Sequence, residues 1–110
     1  MEELKQLNGI STADTEHLQV SYKENELSIS YIDWQEKSVK LIFKDVLGYR
    51  VGQFNNNTER NDSAYEVLNS DWLKEFKIDD TKKEYHHYKL AFNDFRDCVI
   101  DIVSTSYIAI

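Results

Sequence analysis

The side chains of this 110-residue chain that could do chemistry gather near its end: adjacent His86 and His87, then Cys98 between Asp97 and Asp101. Imidazole is the commonest neutral ligand for zinc or copper, so the histidine pair raises the question of a metal site. In a strand, however, successive side chains point to opposite faces, and two neighbouring histidines cannot chelate one ion. His17 could join them only through tertiary folding. Cys98, with histidines in the preceding strand, is the one hint of a nucleophile beside a base. Against it, Asp97 and Asp101 raise the thiol pKa and disfavour the reactive thiolate. Three glycines leave no room for a phosphate-cradling loop, and with 20 acids in the chain, paired carboxylates discriminate nothing. The expectation is therefore no catalytic residue, no metal and no cofactor.

The elements that hold these residues read as a closing β-hairpin. Tyr85 to Ile110 forms two long strands joined by a five-residue polar turn, with Tyr88, Leu90 and Phe92 on one face of the first. Cys98, Ile100 and Ile102 share a face of the second, and Val99 and Val103 lie on the other. Asp101, between Ile100 and Ile102, is expected to point to solvent; the alternative is a half-buried carboxylate with a partner.

Upstream, Leu18, Val20 and Tyr22 alternate with polar residues, as do Leu27, Ile29 and Tyr31, with Lys23-Glu24-Asn25 as the turn between two strands. Val39, Leu41 and Phe43 begin a third strand after the turn at Asp33-Trp34-Gln35-Glu36, with either partial cover on its second face or a bulge near Lys44-Asp45 expected. Gly48 and Gly52 flank a further short strand. Residues 1–10 suit a short N-terminal surface helix, with Glu2 and Glu3 in its first turn and Gly9 as its stop. Ala64 to Leu68 reads as a strand in competition with an early helix. Ser70 then caps a helix of about two turns that presses Trp72 and Phe76 onto a sheet. With no proline in the chain, the turns rest on Asn and Asp, which tolerate left-handed backbone. NNNTERND within Gln53–Asp62 reads as an exposed loop.

The resulting expectation is a single α+β domain over residues 1–110. It is a mostly antiparallel β-meander sheet of six to seven strands with one short packed helix and a possible N-terminal helix. The expected core is Leu18, Val20, Leu27, Ile29, Tyr31, Val39, Leu41, Phe43, Val51, Leu68, Trp72, Phe76, Leu90, Phe92, Ile100 and Ile102.

A net charge of −7 repels nucleic-acid phosphates and anionic membranes, which disfavours direct binding to either. The start is acidic and no apolar run reaches membrane-spanning length, so a cytoplasmic protein is expected. Acids dominate from Met1 to Glu36, where only Lys5 and Lys23 oppose eight of them. Exposed aromatics among acids suit a basic protein partner, and Glu24, Glu26, Asp33, Trp34 and Glu36 are the candidate partner-binding residues.

The order Val46-Leu47-Gly48-Tyr49-Arg50, Tyr65-Glu66-Val67, Asn69 to Phe76, His87-Tyr88 and Asp97 to Val103 resembles a group of small bacterial proteins. Some of that group look like immunity proteins of polymorphic or contact-dependent toxin systems. The resemblance spans roughly Lys37 to Ser104, rests on patterning and carries no catalytic residue across. It implies a protein-binding module, most concretely an immunity-type inhibitor that occludes a basic toxin enzyme. The alternative is a small-ligand-binding or regulatory β-domain with a pocket between sheet and helix lined by Trp72, Tyr88 and His87. Oligomeric state is left open by the sequence.

Overall fold

The computed structural model describes residues 2–53, 63–76, 83–92 and 98–110. In chain order the strands are β1 (Glu3–Gln6), β2 (Glu16–Lys23), β3 (Glu26–Ile32), β4 (Ser38–Lys44), β5 (Gly48–Gln53), β6 (Ala64–Leu68), β7 (His86–Phe92), β8 (Cys98–Ser104) and β9 (Ser106–Ala109). The single helix among the described residues, α1 (Asp71–Glu75), lies between β6 and β7. All pairings are antiparallel, in a five-stranded sheet ordered β1-β6-β7-β8-β5 and a four-stranded sheet ordered β2-β3-β4-β9.

Alternation in β3 and β4 puts Leu27, Ile29, Leu41 and Phe43 on one face, and the same rule in β7 and β8 aligns Leu90, Phe92, Ile100 and Ile102; all eight are fully buried. The two faces meet as the halves of a sandwich, with Tyr31 edge-on to Phe92 at 5.3 Å and Phe43 against Tyr88 at 5.5 Å. Burial pushes the Tyr88 hydroxyl up to about 12, aided by the nearby charge of Glu66. The β2–β3 hairpin turns on Glu24 and Asn25, whose φ values of 53° and 65° suit a two-residue turn that follows strand twist. The reading of these strands from alternation is matched by the observed β2–β3, β3–β4 and β7–β8 pairs.

Four expectations are corrected. Among the described residues the six-to-seven-strand meander is instead nine strands in two sheets, because the chain changes sheet three times, once between β1 and β2 and again at two tight corners. At the first corner, Asp45 (φ 51°) ends β4 where a bulge was one of two expectations, and Leu47 N donates to Val103 O in the other sheet. At the second, Thr105 breaks the closing strand into β8 and β9, its N–H and hydroxyl both reaching Lys44 O. The corners thus hold each other. Secondly, the N-terminal helix is a strand, since Leu4 pairs with Val67 and Lys5 with Glu66; a ten-residue segment with one thin apolar stripe gains more from an open sheet edge than from its own helical bonds. Thirdly, Val20 and Val51, assigned to the core, are 40% and 58% exposed because they lie on the edge strands β2 and β5. Lastly, α1 is five residues long rather than two turns, and no residue in it is buried. The asparagine-rich loop, most of the 79–83 linker and the 93–97 turn lie outside the described residues.

Candidate functional site

The sandwich covers one face of the five-stranded sheet, and α1 covers part of the other. Ser70 caps the helix as its spacing suggests, its Oγ accepting from Leu73 N at 3.0 Å. Glu2 adds a second tie by accepting from Asp71 N at 2.8 Å. Trp72 then rests edge-on over His87, with ring centroids 5.1 Å apart. Phe76 packs so close to Gly48 that a Cβ there would lie 3.1 Å from its Cζ.

Beneath Trp72 is a continuous polar chain. Ser70 Oγ lies 2.7 Å from His87 Nδ1, and His87 Nε2 lies 2.7 Å from Asp101 Oδ1. Asp101 Oδ2 in turn accepts from Arg50 Nε at 3.4 Å, and the Arg50 guanidinium returns over the Trp72 ring at 4.2 Å from its centroid. Ser70, His87 and Asp101 are all buried. A neutral His87 protonated on Nε2 satisfies every member: Ser70 O–H donates to Nδ1 and Nε2–H donates to the carboxylate. Strand register explains the placement, since Arg50 and Lys89 are the direct cross-strand neighbours of Asp101 on either side. Burial by itself pushes the Asp101 carboxyl up. The His87 hydrogen bond and the positive charges of Lys89 and Arg50 outweigh it and hold the carboxyl below its ordinary range.

This corrects the solvent-facing placement of Asp101. The expectation assumed one covered face, whereas β8 is buried on both. Ser70, His87 and Asp101 have the residue types of a nucleophile–base–acid relay. Their use is different. Ser70 is 2% exposed and its Oγ already accepts a helix-capping bond, so no substrate carbonyl can approach it in this arrangement. No motif spacing could have revealed the set, which draws on a helix cap and three strands. The signal that did exist was a lone carboxylate between two isoleucines.

The other chemical candidates are separated. His86 bonds Glu66 Oε2 through Nδ1 at 2.7 Å while His87 faces away towards α1, so strand alternation divides the pair as expected. Among the described residues no group of three His, Cys, Asp or Glu could hold a metal ion. Cys98 is half-buried, and burial pushes its thiol pKa up, while Asp97, the nearer of the two acids invoked from sequence, lies outside the described residues. The pocket expected from Trp72, Tyr88 and His87 is not formed by those three. Trp72 fills the space over His87, and Tyr88 points into the sandwich against Phe43 and Tyr107.

The five partner-binding candidates fall into two groups. Glu24 and Glu26 lie at one end of β3, where Glu26 is engaged by Lys44 at 3.2 Å. Asp33, Trp34 and Glu36 lie at the other end, roughly 20 Å away along a strand that rises about 3.3 Å per residue. There the turn is tightly held: Asp33 Oδ1 accepts from Gln35 N and Lys37 N, both at 2.9 Å, Asp33 N donates to Lys37 O, and Glu36 N donates to Asp33 O. Trp34 stands out from this turn 58% exposed. Beside it runs a cleft of about 450 Å³ whose walls include Ile10, Ser11, Asp33, Trp34, Lys37 and Val39.

Compared with known proteins, the chain matches no family model, no curated protein and no solved structure.

Proposed function

We propose that this chain is a non-catalytic, cytoplasmic protein-binding module that docks a basic partner through the β3–β4 turn, as an immunity-type inhibitor would occlude a toxin enzyme. The observation that carries the reading is Trp34, a large side chain 58% exposed on a turn fixed by four hydrogen bonds. A rigidly mounted tryptophan loses little freedom on binding and is the residue type that most often anchors an interface. The working surface is then narrower than the five residues the sequence suggested. Trp34 is the anchor, the adjoining cleft receives a partner side chain, Glu36 adds charge, and Asp33 serves as the mount because both its bonds are made to the turn itself. Glu24 and Glu26, at the far end of β3, contribute to the long-range field that steers a basic partner.

The test is titration against the product of a toxin-like reading frame adjacent to the gene. Trp34→Ala is expected to weaken binding by about 30-fold, corresponding to about 2 kcal/mol. Glu24→Gln and Glu26→Gln should lower mainly the association rate, and less so in high salt. Failure of that product to bind at low salt would overturn the proposal.

A further inference from the structure

Among the described residues the sandwich is open along one side. β2 is the edge of the four-stranded sheet and β5 the edge of the five-stranded sheet, and the two edges lie over one another, as the Tyr22–Tyr49 ring contact at 5.4 Å shows. Alternation sends Val20 and Tyr22 from β2, and Tyr49 and Val51 from β5, towards the space between the sheets, where Ile29, Leu27, Ile102 and Ile100 are their cross-strand neighbours. Those neighbours are fully buried, yet the four edge side chains are 40%, 45%, 41% and 58% exposed. A core-facing row of this kind beside a strand paired on one side alone is an interface lacking its second half.

We infer that the occupant is a second copy of this chain, joined by antiparallel pairing of β2 with β2 across a two-fold axis. This goes beyond the proposed partner site, which lies at the β3–β4 turn. Three features favour a copy over a foreign strand. The patch is apolar, as self-association surfaces are, whereas the rest of the chain is strongly acidic. Antiparallel pairing about the middle of β2 brings Lys23 of one copy beside Glu16 of the other, a complementarity that a two-fold axis makes twice. The area is also sufficient. With aromatic side chains worth about 150–250 Å² when fully buried, the four half-exposed side chains and the paired backbone of both copies reach the order of 1,000 Å², the lower end of specific interfaces. Such a dimer is weak and concentration-dependent. It joins two four-stranded sheets into one of eight and closes the β2 edge of both copies at once.

Sedimentation equilibrium of the full chain tests this from about 10 µM to about 500 µM, the range in which an interface of this size associates. The expected result is a shift from the 13.0 kDa chain towards twice that mass, with no higher species, since a two-fold interface closes at two. Val20→Glu on β2 and Tyr49→Glu on β5 should each weaken the dimer by at least about tenfold while far-UV circular dichroism stays unchanged. Tyr49→Glu reads the same surface through the other sheet should the β2 variant unfold. A monomer at every concentration would overturn the proposal. Should its β2 amides then exchange freely, the edge is open to a foreign strand; should they be protected, another segment of the chain covers it. Larger oligomers, or a dimer indifferent to both variants, would refute it equally.

Discussion

Asp101 shows how far a residue's role depends on what covers it. A carboxylate in an apolar strand costs several kcal/mol to bury alone, and here that cost is offset by His87 on one oxygen and Arg50 on the other. Removing a partner is therefore worse than removing an ordinary contact. His87→Ala is expected to destabilise the protein by about 3 kcal/mol, because it leaves Ser70 and Asp101 without their shared partner and opens space beneath Trp72. The check is a lowered urea midpoint at unchanged slope. A double-mutant cycle with Asp101→Asn should show the two losses to be far from additive, as expected for one network. The histidine pair was legible from sequence as two separate residues, since alternation alone divides them. Which of the two is buried required knowing where α1 sits.

At the scale of elements, α1 is held by its ends and its ring contacts. Five residues cannot sustain a helix in water, so the Ser70 cap and the Trp72 and Phe76 contacts must do so. The two glycines of β5 make a paired test of that packing. Gly48→Ala would place a methyl 3.1 Å from Phe76 Cζ, so the ring must shift and stability should fall. Gly52→Ala meets nothing within 4 Å and should raise stability by about 0.5 kcal/mol through a less flexible unfolded chain. Thermal midpoints of the two variants moving in the same direction would contradict this assignment. The strand character of β6 and the Ser70 cap followed from spacing. The strand character of β1 did not, because its pairing partner lies some 60 residues away in sequence.

For the whole molecule, the buried titratable groups define two flanks of stability. The Asp101 carboxyl titrates below its ordinary range in the folded state, so the unfolded chain takes up its proton first as the pH falls. Its stabilisation is complete above the ordinary carboxylate pKa and is lost as the pH drops through the lowered folded value. Acid unfolding measured below about pH 4, the unperturbed carboxylate range, should accordingly become shallower in Asp101→Asn. Tyr88 behaves in the opposite sense. Its folded pKa is raised to about 12, so its neutral form supports the fold below pH 10 and that support is lost as the pH climbs from 10 to about 12. Alkaline unfolding followed by tyrosinate absorbance should thus be delayed relative to free tyrosine and then cooperative, with Tyr88→Phe removing part of the delay.

Sequence by itself determined the local features that need only near neighbours: alternation in β2, β3, β4, β7 and β8, the left-handed turn at Asn25, the helix cap at Ser70, and most of the core. Each follows from a residue's backbone preference or from the two-residue period of a strand. Tertiary structure decided the rest. Whether the strands formed one sheet or two depended on corners at Asp45 and Thr105 that are held by bonds to each other across some 60 positions. Whether Asp101 met water depended on a helix docked over the second face of its sheet. Long-range pairing and the covering of a face are properties of the folded assembly of elements, and no local pattern encodes them.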